Sequence, residues 1–136
     1  MPTELKFISV REKRTHASYR SQIWVYEFGG ECIPISADLS NLDGINNFVQ
    51  EFSKHETSLD ILVNNAGVAW GAPLEEFPEL GWDKVMNTNV KGVFFPTQQL
   101  SSILRKHTPE NPAHVINVGS VTESRLPFLI IFLRSL

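Results

Sequence analysis

A single cysteine, Cys32, in 136 residues has nothing to pair with inside the chain. An internal disulfide framework is excluded, and a reducing compartment is the expected setting. Cys32 lies in an apolar run, where a thiol ordinarily serves as a small hydrophobe. Positive charge is scarce as well: 12 Lys and Arg stand against 15 Asp and Glu, for a net charge of -3. The one basic cluster, Arg11 to Arg14, is too short to follow a phosphate backbone, so nucleic acid is not an expected partner. The four histidines, His16, His55, His107 and His114, stand at no metal-ligand spacing, and no metal is expected. Long apolar runs are missing too. The longest, Phe128 to Leu133, falls far short of the roughly 20 residues a bilayer span needs, which argues against a membrane partner. The opening Met1 to Val10 carries neither the basic flank nor the cleavage site of a leader, so a cytoplasmic protein is expected. Glycine is absent until Gly29.

What is present alternates between two periods. Leu5 to Val10 is rich in β-formers and ends at Arg11. Glu12 to Phe28 is charged early and aromatic late, a poor helix, and Gly29-Gly30 breaks it. A second strand lies within Glu31 to Ser40, where Pro34 suggests an edge position. Ser40, with Asp43 three residues on, reads as a helix N-cap. Behind it Leu42, Ile45, Phe48, Val49 and Phe52 recur at helical spacing. Leu59 to Val63 reads as a buried strand. A long helix is expected from about Leu80 to His107, with a stripe of Trp82, Val85, Met86, Val90, Val93, Leu100, Ile103 and Leu104 and a kink at Pro96. His114 to Val121 is a fourth strand. Strands alternating with helices imply an α/β fold with a doubly wound parallel sheet, in one domain spanning 1–136. Ligands of such sheets bind past the carboxyl ends of the strands. Four tips result: Arg11, Asp38, the Asn64–Gly67 step, and Gly119-Ser120.

Each tip has two readings on residue chemistry alone. Asn64 and Asn65 can donate and accept, and Ala66 and Gly67 leave room for a ligand, but Asn-Gly-type turns also exist without ligands. Asp38 can accept from an exocyclic amine or cap a turn. The capping role suggested for Ser40 leaves Asp38 available. Arg11 suits a phosphate, or is one more solvated arginine in a charged run. Asn89 sits on the apolar stripe of the long helix, where a buried amide must find partners. Ser120 can hydrogen-bond a carbonyl or open a turn. No histidine stands where a nucleophilic serine would need it.

Taken together the tips resemble the short-chain dehydrogenases/reductases, from about Leu5 to Pro127. "DILVNNAG" is similar to that family's signature strand. "CIPISADLS" resembles the strand whose terminal Asp binds adenine. "WDKVMNTNVKGVFF" resembles the helix with the catalytic Asn, and "HVINVGSV" the strand ending in the catalytic Ser. The resemblance implies a Rossmann-type domain that binds NADP(H), with NAD(H) also possible. It implies that Asp38 and Leu39 hold the adenine. Asn65, Ala66 and Gly67 would line the adenosine ribose and nearby cofactor backbone, with Asn64 the more structural amide. Asn89 would hold a water in a proton relay, and Ser120 would orient the substrate carbonyl. Arg11 matches the position that favours NADP(H). The implied reaction is hydride transfer between nicotinamide and a carbonyl or alcohol carbon of a small molecule. "GAPLEEFPELGWDKVMNTNVKGVFF" is similar to 3-oxoacyl reductases of the fatty-acid and rhamnolipid type.

Two family features are absent. The family's Tyr-x-x-x-Lys follows its serine by roughly 13 residues, yet no Tyr or Lys follows Ser120. The tyrosine is the family's proton donor. Its Gly-rich pyrophosphate loop, between the first strand and helix, has no counterpart either. The chain therefore resembles an incomplete domain lacking the first strand and the C-terminal strands, with a divergent apolar tail at 128–136. In the strand order 3-2-1-4-5-6 the first strand joins the two halves of the sheet. Without it, the strands at Phe7 and Ile35 are expected to stay apart from the strand at Leu62, leaving two unpaired edges. A tail filling that slot would have to cross from the far side of the fourth strand. Family dimers pair the long helix with the helix that carries Tyr-x-x-x-Lys, so a homo-oligomer of that type is left open. Two expectations follow: an NADP(H)-dependent oxidoreductase whose 136 residues show little or no activity, or a non-catalytic remnant acting as a weak nucleotide binder or interaction partner.

Overall fold

The computed structural model describes residues 6–11, 30–104 and 107–119. The segment Glu12 to Phe28, read above as a poor helix, Ser120 and the tail at 128–136 lie outside them. The β-rich segment Lys6–Arg11 forms β1, and Glu31–Ser36 forms β2. They run parallel, in register from Lys6 opposite Glu31 to Arg11 opposite Ser36. Pro34 brings no N–H to a ladder, and β2 tolerates it because β1 is its one strand neighbour among the described residues.

Helix α1, Leu42–His55, follows. Its N-cap is Asn41, whose side chain accepts the Gly44 N–H at 2.7 Å. The expectation that Ser40 caps this helix is therefore corrected by one residue. Asp43 in the first turn and Lys54 and His55 in the last complement the helix dipole. Ile45, Phe48 and Phe52 are buried, as their spacing requires, while Leu42 is exposed.

Strand β3, Ile61–Asn64, and β4, His114–Asn117, form a second parallel pair, with Leu62 opposite Val115. Only Leu62 and Asn64 of β3 are half-buried; Ile61 and Val63 are each 53% exposed. The expectation of a fully buried strand fails for a physical reason. Parallel sheets are normally covered on both faces, and here only the face toward the helices is covered among the described residues.

The long helix is two helices, α2 (Glu79–Met86) and α3 (Gly92–Leu104), joined by a π-helical turn at Asn87–Lys91. The irregularity thus falls ahead of Pro96, which is buried inside α3. The inner line of α2 is Gly81 and Val85. Trp82, rotated about 100° from Gly81, is exposed. Val90, within the π turn, is exposed too. Both were expected on the buried stripe.

The two strand pairs do not hydrogen-bond to each other. One core nevertheless serves both: Ile35, Phe48, Phe52 and Leu100 are buried together, with Ile8 and Val10 of β1 and Leu62 of β3 packed against them. The architecture is α/β, a partial doubly wound parallel sheet on a shared helical layer. No described helix is long and apolar enough to cross a membrane.

Candidate functional site

Past β2 the chain runs between two helices that have no side chains at the crossing points. A Cβ on Gly44 of α1 would lie 1.9 Å from the Asp38 carbonyl oxygen. A Cβ on Gly92, at the start of α3, would lie 2.9 Å from the Leu39 carbonyl oxygen. Asp38 and Leu39 are thus wedged by their main chain, and the Asp38 side chain stays exposed. Oδ1 of Asp38 accepts from the Ser40 N–H at 2.9 Å and the Ser40 hydroxyl at 2.7 Å, and Oδ2 accepts from Asn41 Nδ2 at 2.6 Å. The expectation that Ser40 leaves Asp38 unengaged is overturned, because Asn41 takes the cap and Ser40 turns back. A carboxylate offers about four acceptor positions. Three are taken, so one remains on Oδ2 for an incoming donor.

The Ser40 hydroxyl, then the Ser40 N–H, hold the Asp38 carboxyl below its ordinary value of 3.8, against a small opposing effect of burial. A carboxyl pKa depressed on folding contributes stability above the unfolded value, lost as pH falls through the folded one. The Asp38 contribution is therefore complete above about pH 3.8 and disappears on further acidification. Ser40→Ala removes the hydroxyl, the donor that lowers the Asp38 pKa most, and leaves the N–H at position 40 and Asn41 Nδ2. The expected result is an Asp38 pKa that climbs back toward 3.8, read by NMR titration of its carboxyl carbon.

The tip of β3 is organised by two amides with different duties. Asn64 Nδ2 donates to Thr97 Oγ1 at 3.1 Å and Asn117 Oδ1 at 2.8 Å, tying β3 to α3 and β4. Asn89, in the π turn, accepts the Val68 N–H on Oδ1 at 2.9 Å and donates Nδ2 to the Val68 carbonyl at 2.9 Å. This answers the demand a half-buried amide makes for partners. Between these anchors Asn65, Ala66 and Gly67 are exposed. Among the described residues the Asn65 side chain has no partner. Gly67 is not required by the fold. Its φ is not positive, and an added Cβ would meet only Asn89 Oδ1, at 3.6 Å. The space above it is open, unlike that at Gly44 or Gly92, and a small residue there suits the close approach of a ligand.

The π turn is therefore the hub. Asn89 pins Val68 and Gly92 seats Leu39, so the tips of β2 and β3 meet the same turn although their ladders do not pair. Single-turn π segments recur at functional sites. Beyond the tip, Trp70 lies against Gly81, and Lys84 Nζ stands 5.8 Å from the Trp70 ring centroid, within cation–π range. Of the other expected site residues, Arg11 ends β1 opposite Ser36, its side chain outside the described residues. Gly119, exposed and open, leads to Ser120, which also lies outside them. Gly44, Gly92 and Val68 escaped the sequence reading. A glycine three residues past a cap, in an otherwise helical pattern, was the available signal for Gly44.

A model of the short chain dehydrogenase family matches residues 6–129. The rhamnolipids biosynthesis 3-oxoacyl-(acyl-carrier-protein) reductase of Pseudomonas aeruginosa is 46% identical over 116 residues, covering 85% of this chain and 44% of that protein. Gluconate 5-dehydrogenase of Gluconobacter oxydans is 37% identical, covering 62% of this chain and 32% of its own. The chain thus spans under half the length of these relatives. Among solved structures, the NADP active-site complex of RhlG from Pseudomonas aeruginosa superposes with a TM-score of 0.71 at 42% identity, covering 84% of this chain and 44% of that one. A gluconate 5-dehydrogenase from Burkholderia cenocepacia, solved with NADP and tartrate, gives 0.70 at 26% identity, covering 88% and 45%.

Proposed function

Because this chain belongs to the short-chain dehydrogenase/reductase family, we propose that it carries the adenosine-binding half of an NADP(H)-dependent oxidoreductase site for a small carbonyl or alcohol substrate, of the 3-oxoacyl class. One observation carries this reading. The fold ties Asn64 to Thr97 and Asn117 and uses one donor and one acceptor position of Asn89 on Val68, and leaves Asn65, Ala66 and Gly67 open beside them. Asp38 takes the adenine amine on its remaining Oδ2 position, and Leu39 covers the ring. Asn65 to Gly67 line the ribose, with Gly67 small because the cofactor backbone passes close. Arg11 meets the 2′-phosphate that distinguishes NADP(H); NAD(H) binds without that contact. The relative solved with NADP, at 42% identity, supports the choice of cofactor.

When bound, the nicotinamide supplies or takes up the hydride. The chain's part is orientation. Ser120 hydrogen-bonds the substrate carbonyl, and Asn89 holds a water with the groups that Val68 leaves over. No tyrosine or lysine follows Ser120 in these 136 residues to supply the proton.

Two measurements test the proposal. In a fluorescence titration NADPH is expected to bind weakly, for want of a pyrophosphate loop. Asp38→Asn then loses a charge-assisted hydrogen bond of about 1.5–3 kcal/mol, roughly tenfold or more in affinity. In an NADPH-oxidation assay with a 3-oxoacyl thioester no turnover is expected. Turnover at an ordinary enzymatic rate overturns the assignment of inactivity. The second reading, a non-catalytic remnant that binds nucleotide weakly or serves as an interaction partner, is favoured by the split between the two ladders. Absence of any NADPH binding would leave only its partner form standing.

A further inference from the structure

The open step at Asn65–Gly67 is held at both ends. Asn64 bonds to Thr97 and Asn117 before it, and Val68 bonds to Asn89 through both main-chain groups after it. Past Val68 the main chain from Ala69 to Ala72 makes no backbone–backbone hydrogen bond among the described residues. The next fixed point is a side chain, Trp70. A Cβ on Gly81, buried in the first turn of α2, would lie 2.7 Å from Trp70 Cδ1 and 2.8 Å from both Cγ and Nε1. Near-equal distances to three successive ring atoms put position 81 over the face of the indole, and any side chain there would push the ring away. Glycine weakens a helix relative to alanine, so its place in α2 calls for a reason, and the indole supplies it. Lys84, three residues on, holds its Nζ 5.8 Å from the ring centroid. Helix α2 thus offers a notch with a glycine floor and a cationic rim, and Trp70 fills it.

We propose that Trp70 is a positioning residue for the nucleotide site, an inference that rests on the cofactor reading of the β3 tip. Trp70 and Val68 dock on one continuous helical run, Trp70 on Gly81 of α2 and Val68 on Asn89 of the π turn that follows it. The docked indole fixes the chain two residues past Val68. Val68 then keeps both bonds to Asn89, and Asn65, Ala66 and Gly67 stay presented to the ligand. With the ring out of its notch, that end of the step is free to shift, and the site loses the preorganisation that affinity depends on. Trp70 acts through Val68, without touching the nucleotide.

Backbone-amide NMR of the full chain tests this, by NADPH titration, which resolves weak binding, and by hydrogen exchange at the Val68 amide. Two variants empty the notch by opposite means. Trp70→Ala removes the ring. Gly81→Ala keeps the ring but displaces it, while favouring the helix. Each is expected to bind NADPH about fivefold more weakly, the order of effect that coupled contacts show. Each should also exchange the Val68 amide roughly tenfold faster. Because both undo one contact, the double variant should again bind about fivefold more weakly, not about 25-fold. Leu80→Ala, beside Gly81 but exposed, should bind as the unaltered chain does. If the indole serves stability alone, the folded variants will melt lower yet bind NADPH normally, and the proposal is overturned. Independent losses in the double variant overturn it too. An unaltered chain that binds no NADPH would overturn the cofactor reading instead, and the Val68 amide then decides for Trp70. Unchanged exchange in Gly81→Ala overturns the proposal, and faster exchange upholds the indole's hold on the tip. Should Trp70→Ala fail to fold, Gly81→Ala, which removes no apolar atom, carries the test alone.

Discussion

Gly44→Ala will destabilise the protein and displace Asp38, while the same substitution at Gly67 will leave the fold unchanged. The added methyl at position 44 lands 1.9 Å from the Asp38 carbonyl oxygen, a main-chain atom that cannot rotate aside. Overpacking of this kind costs about 3 kcal/mol or more. Alanine recovers about 1 kcal/mol over glycine in a helix, so the net loss is about 2 kcal/mol. In a domain this small, Tm should fall by roughly 8 °C or more. Helix α1 and the tip of β2 must separate, and the Asp38 hydrogen bonds to Ser40 and Asn41 go with them. At position 67 the nearest atom is 3.6 Å away and φ is not positive, so the change in stability should stay within about 0.5 kcal/mol. Nucleotide affinity should fall there instead, because the methyl enters the space assigned to the cofactor. Thermal melts of the two variants, paired with NADPH titrations, separate a glycine the fold needs from one the ligand needs. An unchanged Tm for Gly44→Ala would remove the wedge from this account.

The strand tips were legible because period-two runs ending in small or polar residues mark them without reference to anything distant. Ile45, Phe48 and Phe52 were legible for the matching reason, since helical spacing names an inner face. The cap was misplaced because Ser40 and Asn41 are both good caps, and only the Gly44 N–H pointing at Asn41 distinguishes them. The sequence marked Asn89 as anomalous but hid the reason, which is a main chain 21 residues earlier. Composition made Leu59 to Val63 look buried. Exposure, however, depends on what lies across the sheet, and the strand itself carries no record of that. The separation of the two ladders among the described residues agrees with the expectation drawn from the family's strand order.

That separation makes Leu100 the most consequential side chain in the fold. In an intact parallel sheet, neighbouring strands hold each other through main-chain hydrogen bonds, and the helices add to that. Here no ladder among the described residues links β1–β2 to β3–β4. Besides the π turn at the strand tips, the link is the apolar seam where Phe48 and Phe52 of α1 meet Leu100 of α3, with Ile35 of β2 in the same cluster. Among the described residues the polar contact across this seam is Gln99 Nε2 to Asn46 Oδ1 at 2.8 Å, and it is exposed. Leu100 is 1% exposed. Leu100→Ala should therefore cost about 2–5 kcal/mol, a large part of what a small domain has. Phe94→Ala, at a side chain 57% exposed on the same helix, should cost far less. The discriminating measurement is hydrogen exchange of the two ladders in Leu100→Ala. Because one seam holds both, β1–β2 and β3–β4 should lose protection together and to the same degree. Loss in one ladder with the other unchanged would mean that each strand pair is stable on its own helix, and that the shared core is not what unites them.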